Sequence, residues 1–581
     1  MPTLNWIGKK AVENHHRHVP FHLLKAVPDL SVGGLGTGNL LVEGDNLLGL
    51  KALLPYYAGQ VKCIYIDPPY NTGNEGWIYN DNVNSPEMRD WLGRVVGKEL
   101  EDLTRHDKWL CMMYPRLALL RQMLRDDGAI FISIGRDELA NLIALCDDIF
   151  SRDNLVEILV WNTHGHTENQ EDITGVHEYI LHYAKKKSEL RMRPVVDPGI
   201  AADSKIRRSF AENSITKNGP KNPASVIQLP AGFPCEVDSL DLDPLPDFDR
   251  FKMAIDEQGY ITRELTRRFS VVYPVRQDRM SVRAGRLVEG CRVFAGWMSA
   301  DKLREFIANN CEPLDDDGTL LRFFLSKNGV VYYRREGRES HYVQSVIRDV
   351  GTTETNRYML EAMGIDFTYP KPLDLISYIC SLYAESSDIV MDSFCGSATT
   401  GHAVLRLNQE DGGNRRFILV EMDSNICRNV AARRLRSVCE GYSRTDGAEI
   451  ASVRDGFQFA ELGEPLFDER GRIRTAVSFL DLARHVYFTE TGETLPQLLP
   501  KNSPLIGVCR GIAIYLLYNG ILRDRGVNGG NVLTTSILSA LPNHEGSKVI
   551  YGTACRIGSE RLRRAGIVFK QLPYKLRVEA P

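Results

Sequence analysis

Short apolar runs alternate with stretches of helical spacing through the first third of the chain. Residues 61–66 read Val-Lys-Cys-Ile-Tyr-Ile and end in Asp67-Pro68-Pro69. A run rich in β-branched and aromatic side chains predicts a buried strand, stopped where prolines remove the ladder donors. Upstream, residues 46–57 place Leu47, Leu48, Leu50, Leu53 and Leu54 at helical spacing. Downstream, 109–124 reads as a helix in which Pro115 predicts a kink or a split. Residues 128–134 read as a strand, 137–150 as an amphipathic helix, and 155–161 and 179–183 as strands that close the unit. Strands alternating with helices predict a mainly parallel α/β sheet.

The pattern changes near Lys185. From there to about Arg348 the text is irregular, with Pro230, Pro234, Pro244 and Pro246, scattered aromatics and many arginines. A second α/β pattern begins near Asp374: a helix over 375–383, a strand over 388–391, a glycine-containing turn, a helix over 400–407 and a strand over 417–420. Beyond about Gly463 a further mixed segment follows. The expected partition is therefore 1–185, 186–350, 351–463 and 464–581, without internal repeats.

Composition excludes several classes. Over 581 residues, 43% are hydrophobic, 25% are charged and the net charge is −4, which is ordinary for a globular chain and unlike a disordered one. No uninterrupted apolar stretch approaches membrane-spanning length, and the first ten residues lack a signal-peptide core, so a cytoplasmic address and no membrane partner are expected. The twelve cysteines are scattered without a Cys-x-x-Cys pair, which predicts reduced thiols and no metal site. His15, His16 and His18 read as a solvated face. With so little net charge, nucleic-acid binding would rest on a local basic surface.

Two stretches carry chemistry. The first is Asp67-Pro68-Pro69-Tyr70, at the carboxyl end of the 61–66 strand, where open α/β sheets bind ligands. An exocyclic amine on a nucleobase is a poor nucleophile because its lone pair is delocalised into the ring. Two acceptors that take its N–H hydrogens favour a more tetrahedral nitrogen. Asp67 and the Pro68 carbonyl suit that task, and the prolines fix φ and hold the carbonyl. Tyr70 offers a face on which a flipped base stacks, worth roughly 1–3 kcal/mol. The second stretch is Asp-Ile-Val-Met-Asp-Ser-Phe-Cys-Gly-Ser-Ala-Thr-Thr at 388–400, a strand, a tight turn at Gly396 and a helix start. Such a turn lets backbone approach a nucleoside cofactor. Glu421 follows Gly396 by 25 positions, an interval that suits an acid for a ribose hydroxyl pair. The phosphate-binding G-x-G-x-x-G is absent, so NAD is not favoured.

Together the tetrapeptide and the later Asp-Ser-Phe-Cys-Gly-Ser-Ala-Thr-Thr resemble the amino-group DNA methyltransferases, in the permuted order of the β class. The longer context, with D-D-G-A-I-F-I-S-I at 126–134, H-E-Y-I-L-H-Y-A-K at 177–185, Y-P-K-P-L-D-L-I at 369–376 and the text at 503–522, is similar to modification subunits of type III restriction systems. The resemblance implies an α/β, Rossmann-like methyltransferase sheet. It also implies a target recognition domain inserted at 186–350 and a C-terminal α/β interaction segment. S-adenosylmethionine is the implied cofactor, and double-stranded DNA, a helicase–nuclease restriction subunit and a second copy of the chain are the implied partners. Residue by residue, Asp67, Pro68, Pro69 and Tyr70 fall at the target base. Phe394 and Gly396 line the cofactor site, with Asp392, Ser397, Thr399 and Thr400 close by. Lys371 lies near the methionine end and Glu421 takes the ribose. Asp45 either touches the adenine ring or caps the first helix.

Two positions depart from the family pattern: Ser393 replaces a proline and Ala398 a glycine. If position 398 needs φ > 0, alanine costs on the order of 1 kcal/mol there. Members of the family it resembles with Asp at the head of the tetrapeptide mostly modify adenine, so the resemblance at Asp67 implies adenine N6 over the alternative, cytosine N4. The sole Pro-Cys, Pro234-Cys235, precedes Glu236 rather than the glutamine of carbon-5 enzymes, and no phosphate-binding loop predicts ATP hydrolysis. The arginines of the middle segment, Arg267, Arg268, Arg276 and Arg279 among them, suit phosphates and guanine edges as a cluster, although each alone reads as a solvated charge. The competing class is a catalytically weak DNA-binding scaffold for a nuclease partner.

Overall fold

The computed structural model describes residues 4–33, 38–72, 95, 104–163, 175–201, 203–258, 260–337, 341–443, 448–453, 455–468, 472–491, 493, 495, 503–518 and 530–572. They form two compact units, one from Met1–Gly199 with Gln344–Pro581, the other from Ile200–Val343.

The first unit is organised by a ten-stranded sheet. Its order is His22–Ala26, Gln458–Pro465, Leu40–Glu43, Arg416–Glu421, Ile389–Asp392, Val61–Ile66, Leu124–Ile134, His177–Ala184, Leu155–Asn162 and Val346–Ile347. The run from Gln458–Pro465 to Leu124–Ile134 is parallel throughout, as the alternating pattern predicts. Val61–Ile66 is buried at every position, as expected of a strand covered on both faces. It pairs in parallel with Ile389–Asp392, with Met391 opposite Ile64. Parallel neighbours end at the same edge of a sheet, so the tetrapeptide and the 392–400 turn emerge side by side although more than 300 residues of sequence separate them.

Of the kink or split expected at Pro115, the split does not occur. Arg105–Met123 is one helix, opened by a capping box in which the Thr104 hydroxyl accepts from the Asp107 N–H. Trp109, Leu110, Met113, Leu117 and Leu120 are buried along it. Each contributes roughly 1.5–3 kcal/mol by leaving water, which together exceeds the ~3 kcal/mol that an internal proline costs.

The C-terminal stretch holds a four-stranded sheet ordered Leu505–Cys509, Ile512–Leu516, Lys548–Gly552 and Ile567–Gln571. Its helix Phe479–Thr491 sends Leu482, Val486 and Phe488 into the same core as the central sheet. Residues 519–522, the end of the stretch at 503–522, lie outside the described residues. Among the described residues no helix is long and apolar enough to cross a membrane.

The second unit, irregular as text, combines short antiparallel strands with the helices Phe248–Gln258, Arg263–Arg268 and Ala300–Ala308. Phe210–Ser214, Leu314–Asp316, Thr319–Leu325 and Val331–Glu336 form one antiparallel sheet, and Ala224–Leu229, Val275–Arg276 and Cys291–Gly296 another. They close over a core of their own that includes Ile215, Phe233, Met280, Val293 and Phe323. None of these strands is longer than seven residues, and they mix buried with exposed positions instead of forming the wholly buried run that marks Val61–Ile66.

Candidate active site

At the carboxyl ends of the two central strands lies a cleft of about 250 Å³. Its walls come from Asp67–Tyr70, Glu178, Phe367, Tyr369 and Lys371, and the 392–400 turn. The tetrapeptide is anchored from behind. Trp109 Nε1 donates to the Pro69 carbonyl at 2.7 Å. Asn71, in the left-handed region at φ 56°, donates from Nδ2 to the Arg105 carbonyl at 3.2 Å and to Glu138 Oε1 at 2.5 Å. The fully buried Glu138 is held in turn by His106 at 2.6 Å and Asn141 at 2.8 Å. Gly135 leaves room for the tyrosine: a Cβ there would stand 3.2 Å from Tyr70 Cδ2.

Charge is concentrated at the mouth of this wall. Lys371 Nζ lies 3.0 Å from Asp67 Oδ2 and 3.3 Å from Glu178 Oε2. It also sits 4.9 Å from the centroid of the Tyr70 ring and 6.0 Å from that of Trp161. The Tyr70 hydroxyl donates to Glu178 Oε2 at 2.7 Å. Burial raises the pKa of Asp67, Lys371 pulls it back and Glu178 adds to the rise, leaving it above the ordinary carboxylate value. Burial works against the Lys371 ammonium, but the two carboxylates outweigh it and hold its pKa above that of an ordinary lysine. Asp67 Oδ1 is buried and has no hydrogen-bond partner among the described residues.

The second wall is a turn strung between carboxylates. Asp392 Oδ1 accepts from the Phe394 N–H at 3.0 Å and Oδ2 from the Thr400 hydroxyl at 2.6 Å. Glu421 Oε2 accepts from the Gly396 N–H at 2.8 Å and Oε1 from the Asp423 N–H at 3.0 Å. Glu421 is thus aimed under the turn and is not among the residues that line the cleft. Gly396 has φ 49°, and a Cβ on it would meet Phe367 Cζ at 3.7 Å. Ala398 also adopts the left-handed region, at φ 58°, and is fully buried. Ser393 Oγ is buried without a partner among the described residues. Below the turn Arg434 Nη1 donates to the Ser397 carbonyl at 3.1 Å, the Ser397 hydroxyl at 3.0 Å and the Thr399 hydroxyl at 2.8 Å. Burial brings that guanidinium down to about 9.

Asp45 lies apart from the cleft lining. Its Oδ1 accepts from the Leu48 N–H at 3.0 Å as the cap of Asn46–Tyr57, and its Oδ2 pairs with buried Arg116 at 3.1 Å. In the second unit Arg267 borders a hollow of about 380 Å³ with Arg263 and Tyr273, and Arg268 packs over the Phe269 ring. Arg276 is turned inward, donating to the Asp243 carbonyl at 3.1 Å and the Pro274 carbonyl at 3.4 Å. Arg279 is exposed, 3.9 Å from Asp241.

Residues 61–433, more than half of the chain, match the DNA methylase family of N6 and N4 amino methyltransferases. The chain belongs to that family. This methylase is 29% identical over 459 residues to the EcoP15I Mod subunit of a type III restriction–modification enzyme from Escherichia coli, covering 72% of this chain and 64% of that protein. It is 27% identical over 594 residues to the EcoPI Mod subunit of Escherichia phage P1, covering 97% and 83%. It is 30% identical to the StyLTI Mod subunit of Salmonella typhimurium over 74% of this chain and 58% of that one. The methylase therefore spans a little under two thirds of the EcoP15I and StyLTI subunits.

Glu178, Phe367, Tyr369 and Arg434 were not singled out as site residues from the sequence, although Glu178 and Tyr369 stand in the stretches at 177–185 and 369–376. Glu178 had a further signal: it is an acid near the start of an apolar strand. That strand runs antiparallel to Leu124–Ile134, with Tyr179 opposite Ile134, so its first residues lie at the carboxyl end of the parallel strands. Arg434 had none, because the pattern of its helix shows burial but not the turn it meets.

Two expected results follow from the second wall. Ala398→Gly removes a left-handed alanine, relieving about 1–2 kcal/mol, and loses a buried methyl worth about 0.8 kcal/mol. Thermal unfolding of this variant should change by no more than a few degrees, and calorimetry should show cofactor affinity equal or tighter. The second result concerns pH. Burial lifts both Asp392 and Glu421 to about 7 in the folded chain, above their unfolded values. The protonated forms favour folding, so this contribution is complete below about pH 4 and is lost as pH rises through about 7, at roughly 1.4 kcal/mol per pH unit for each group. The melting temperature of Asp392→Asn should fall less steeply than wild type between those limits.

Proposed function

We propose that this chain is the modification subunit of a type III restriction–modification system, transferring a methyl group from S-adenosylmethionine to N6 of adenine at a specific site in double-stranded DNA. The observation that carries the reading is Asp67: a carboxylate at the head of the tetrapeptide, with Oδ1 buried and without a hydrogen-bond partner among the described residues, on the cleft that the 392–400 turn also lines. The Pro68 carbonyl is the second acceptor for the target amine, and the Tyr70 ring supports the flipped base. The turn suits the cofactor. At Gly396 a side chain is missing where backbone must approach the ligand, Phe394 supplies an apolar wall, and Ser393 Oγ is a buried polar atom in need of a partner. S-adenosylmethionine, when bound, supplies a methyl group on a positively charged sulfur. Phe394, Gly396, Ser397 and Thr399 hold it, while Asp392, Thr400 and Glu421 keep the turn in shape. Lys371 serves the catalytic wall, through its contact with Asp67, and not the methionine end alone.

The Mod subunits to which the chain is similar support the type III assignment. In this reading the chain works in the cytoplasm as a homodimer, methylates without ATP, and supports cleavage only with a helicase–nuclease restriction subunit and ATP. The test is transfer of label from S-adenosylmethionine to mixed-sequence DNA, followed by sequencing of the product for base and site. N6-methyladenine at one short sequence is the expected product. N4-methylcytosine would move the assignment to the alternative base, and no transfer by the folded protein would leave a DNA-binding scaffold. Light scattering decides the dimer.

Unit Ile200–Val343 is the proposed DNA reader, with Arg267, Arg268 and Arg279 available and Arg276 committed to backbone carbonyls. Joint replacement of Arg267 and Arg268 by alanine should weaken DNA binding and lower the slope of log K against log salt by about 0.9 for each phosphate no longer neutralised. An unchanged slope would place the phosphate-binding groups elsewhere.

A further inference from the structure

One acid on the wall of the cleft belongs to neither motif. Glu178 Oε2 accepts from the Tyr70 hydroxyl at 2.7 Å and faces Lys371 Nζ at 3.3 Å, while the same ammonium lies 3.0 Å from Asp67 Oδ2. One cation is shared between two carboxylates, and Asp67 Oδ1 is left without a partner among the described residues. We propose that Glu178 is a positioning residue for methyl transfer, drawing Lys371 away from exclusive pairing with Asp67, pinning the Tyr70 hydroxyl and leaving the catalytic wall with one negative charge in excess. The inference rests on the reading of the chain as an amino methyltransferase.

The chemistry needs that excess. Positive charge builds on the amine nitrogen as its lone pair takes the methyl carbon and the carbon–sulfur electron pair returns to sulfur. One N–H proton then leaves to solvent. An Asp67–Lys371 pair alone is neutral and offers the developing cation little. Counting both carboxylates, the three groups are net anionic, and a preorganised charge acts more strongly where its groups are partly withdrawn from water, as the Lys371 side chain is at 14% exposed. The geometry of the acceptor follows from the same sharing. An ammonium held between two carboxylates engages one oxygen of Asp67 and leaves the other for the substrate.

The arrangement has a signature in pH. Asp67 is faced by Lys371, Glu178 and Tyr70, and by Tyr65 and Asp392 from the neighbouring strands. Lys371 and the Tyr70 hydroxyl favour its ionisation. Glu178 and Asp392 oppose it, and Asp392 is tied into the turn. Neutralising Glu178 therefore lets Asp67 ionise at lower pH while its cation remains.

The full-length Glu178→Gln protein is the test. The acid limb of kcat against pH is expected to move to lower pH. At the plateau kcat should fall about tenfold, with KM for S-adenosylmethionine within about twofold of wild type. Glu178→Asp should restore part of the rate. A second arm needs no turnover. Lys371 loses a counter-ion in Glu178→Gln, so its ammonium deprotonates more readily. Competitive acetylation near pH 9, read by mass spectrometry on the Lys371 peptide, should run several-fold faster than in wild type. An acid limb and a labelling rate both unchanged in Glu178→Gln, or in Glu178→Asp should the first variant not fold, would overturn the proposal. Absence of methyl transfer by the wild-type protein would instead remove the methyltransferase reading, and the labelling arm would still decide whether Glu178 controls Lys371.

Discussion

Asp67→Ala is expected to lose methyl transfer by about 10²–10³-fold while binding S-adenosylmethionine with near-normal affinity. The carboxylate stands on the tetrapeptide wall, paired with Lys371 through Oδ2 and open at Oδ1, and no hydrogen bond ties it to the 392–400 turn among the described residues. In the proposed reading, removing it takes away the acceptor for the amine and cancels the excess negative charge, because Lys371 is then neutralised by Glu178 alone. The 392–400 turn, proposed to hold the cofactor, keeps its bonds to Asp392 and Glu421. Calorimetry against S-adenosylmethionine and a single-turnover transfer assay separate the two effects. A variant that methylates at the wild-type rate would take the catalytic role from Asp67. A variant that loses the cofactor would place Asp67 in the binding site.

Glu421→Ala is expected to do the reverse, weakening cofactor binding first. Both oxygens accept from backbone N–H groups, of Gly396 at 2.8 Å and Asp423 at 3.0 Å, at a site only 3% exposed. Alanine leaves both donors buried without an acceptor, at a cost of about 1–3 kcal/mol each. The Gly396 turn is the segment that relaxes to recover them. Affinity for S-adenosylmethionine should therefore fall by about 10–100-fold, and the melting temperature should fall by several degrees. Glu421→Gln, which keeps one oxygen acceptor, should lose less on both counts. Binding isotherms that match wild type would show that the turn keeps its shape without this carboxylate.

Much of the site is legible in local text because its parts are local. A strand that ends in two prolines, and a strand followed by a glycine turn and a helix, write themselves into a few consecutive residues. Their chemistry follows from residue type, so Asp67, Tyr70, Phe394 and Gly396 stand out before any fold is known. Other roles do not. For Asp45 the sequence leaves adenine contact and helix cap both open, and its bonds to Leu48 and Arg116 show the cap. Glu421 keeps the 25-residue interval of a ribose acid, yet its oxygens turn toward backbone, a choice that depends on side-chain direction rather than spacing. Pro115 fails to break its helix because burial of the surrounding side chains outweighs a propensity that acts one residue at a time.

The sequence by itself determined the alternation of strands and helices, and the identity of the proline tetrapeptide and the glycine turn. These depend on short-range sterics and on periodicity, which a chain carries wherever it folds. Only the tertiary structure decided which motifs meet. Parallel pairing of Val61–Ile66 with Ile389–Asp392 sets the two walls of the cleft side by side, and an antiparallel strand delivers Glu178 to the same edge. Hydrogen bonding between strands carries no record of sequence separation. The sharing of Lys371 between Asp67 and Glu178, and the insertion of Arg434 beneath Ser397 and Thr399, are therefore properties of the folded sheet and of no stretch of sequence.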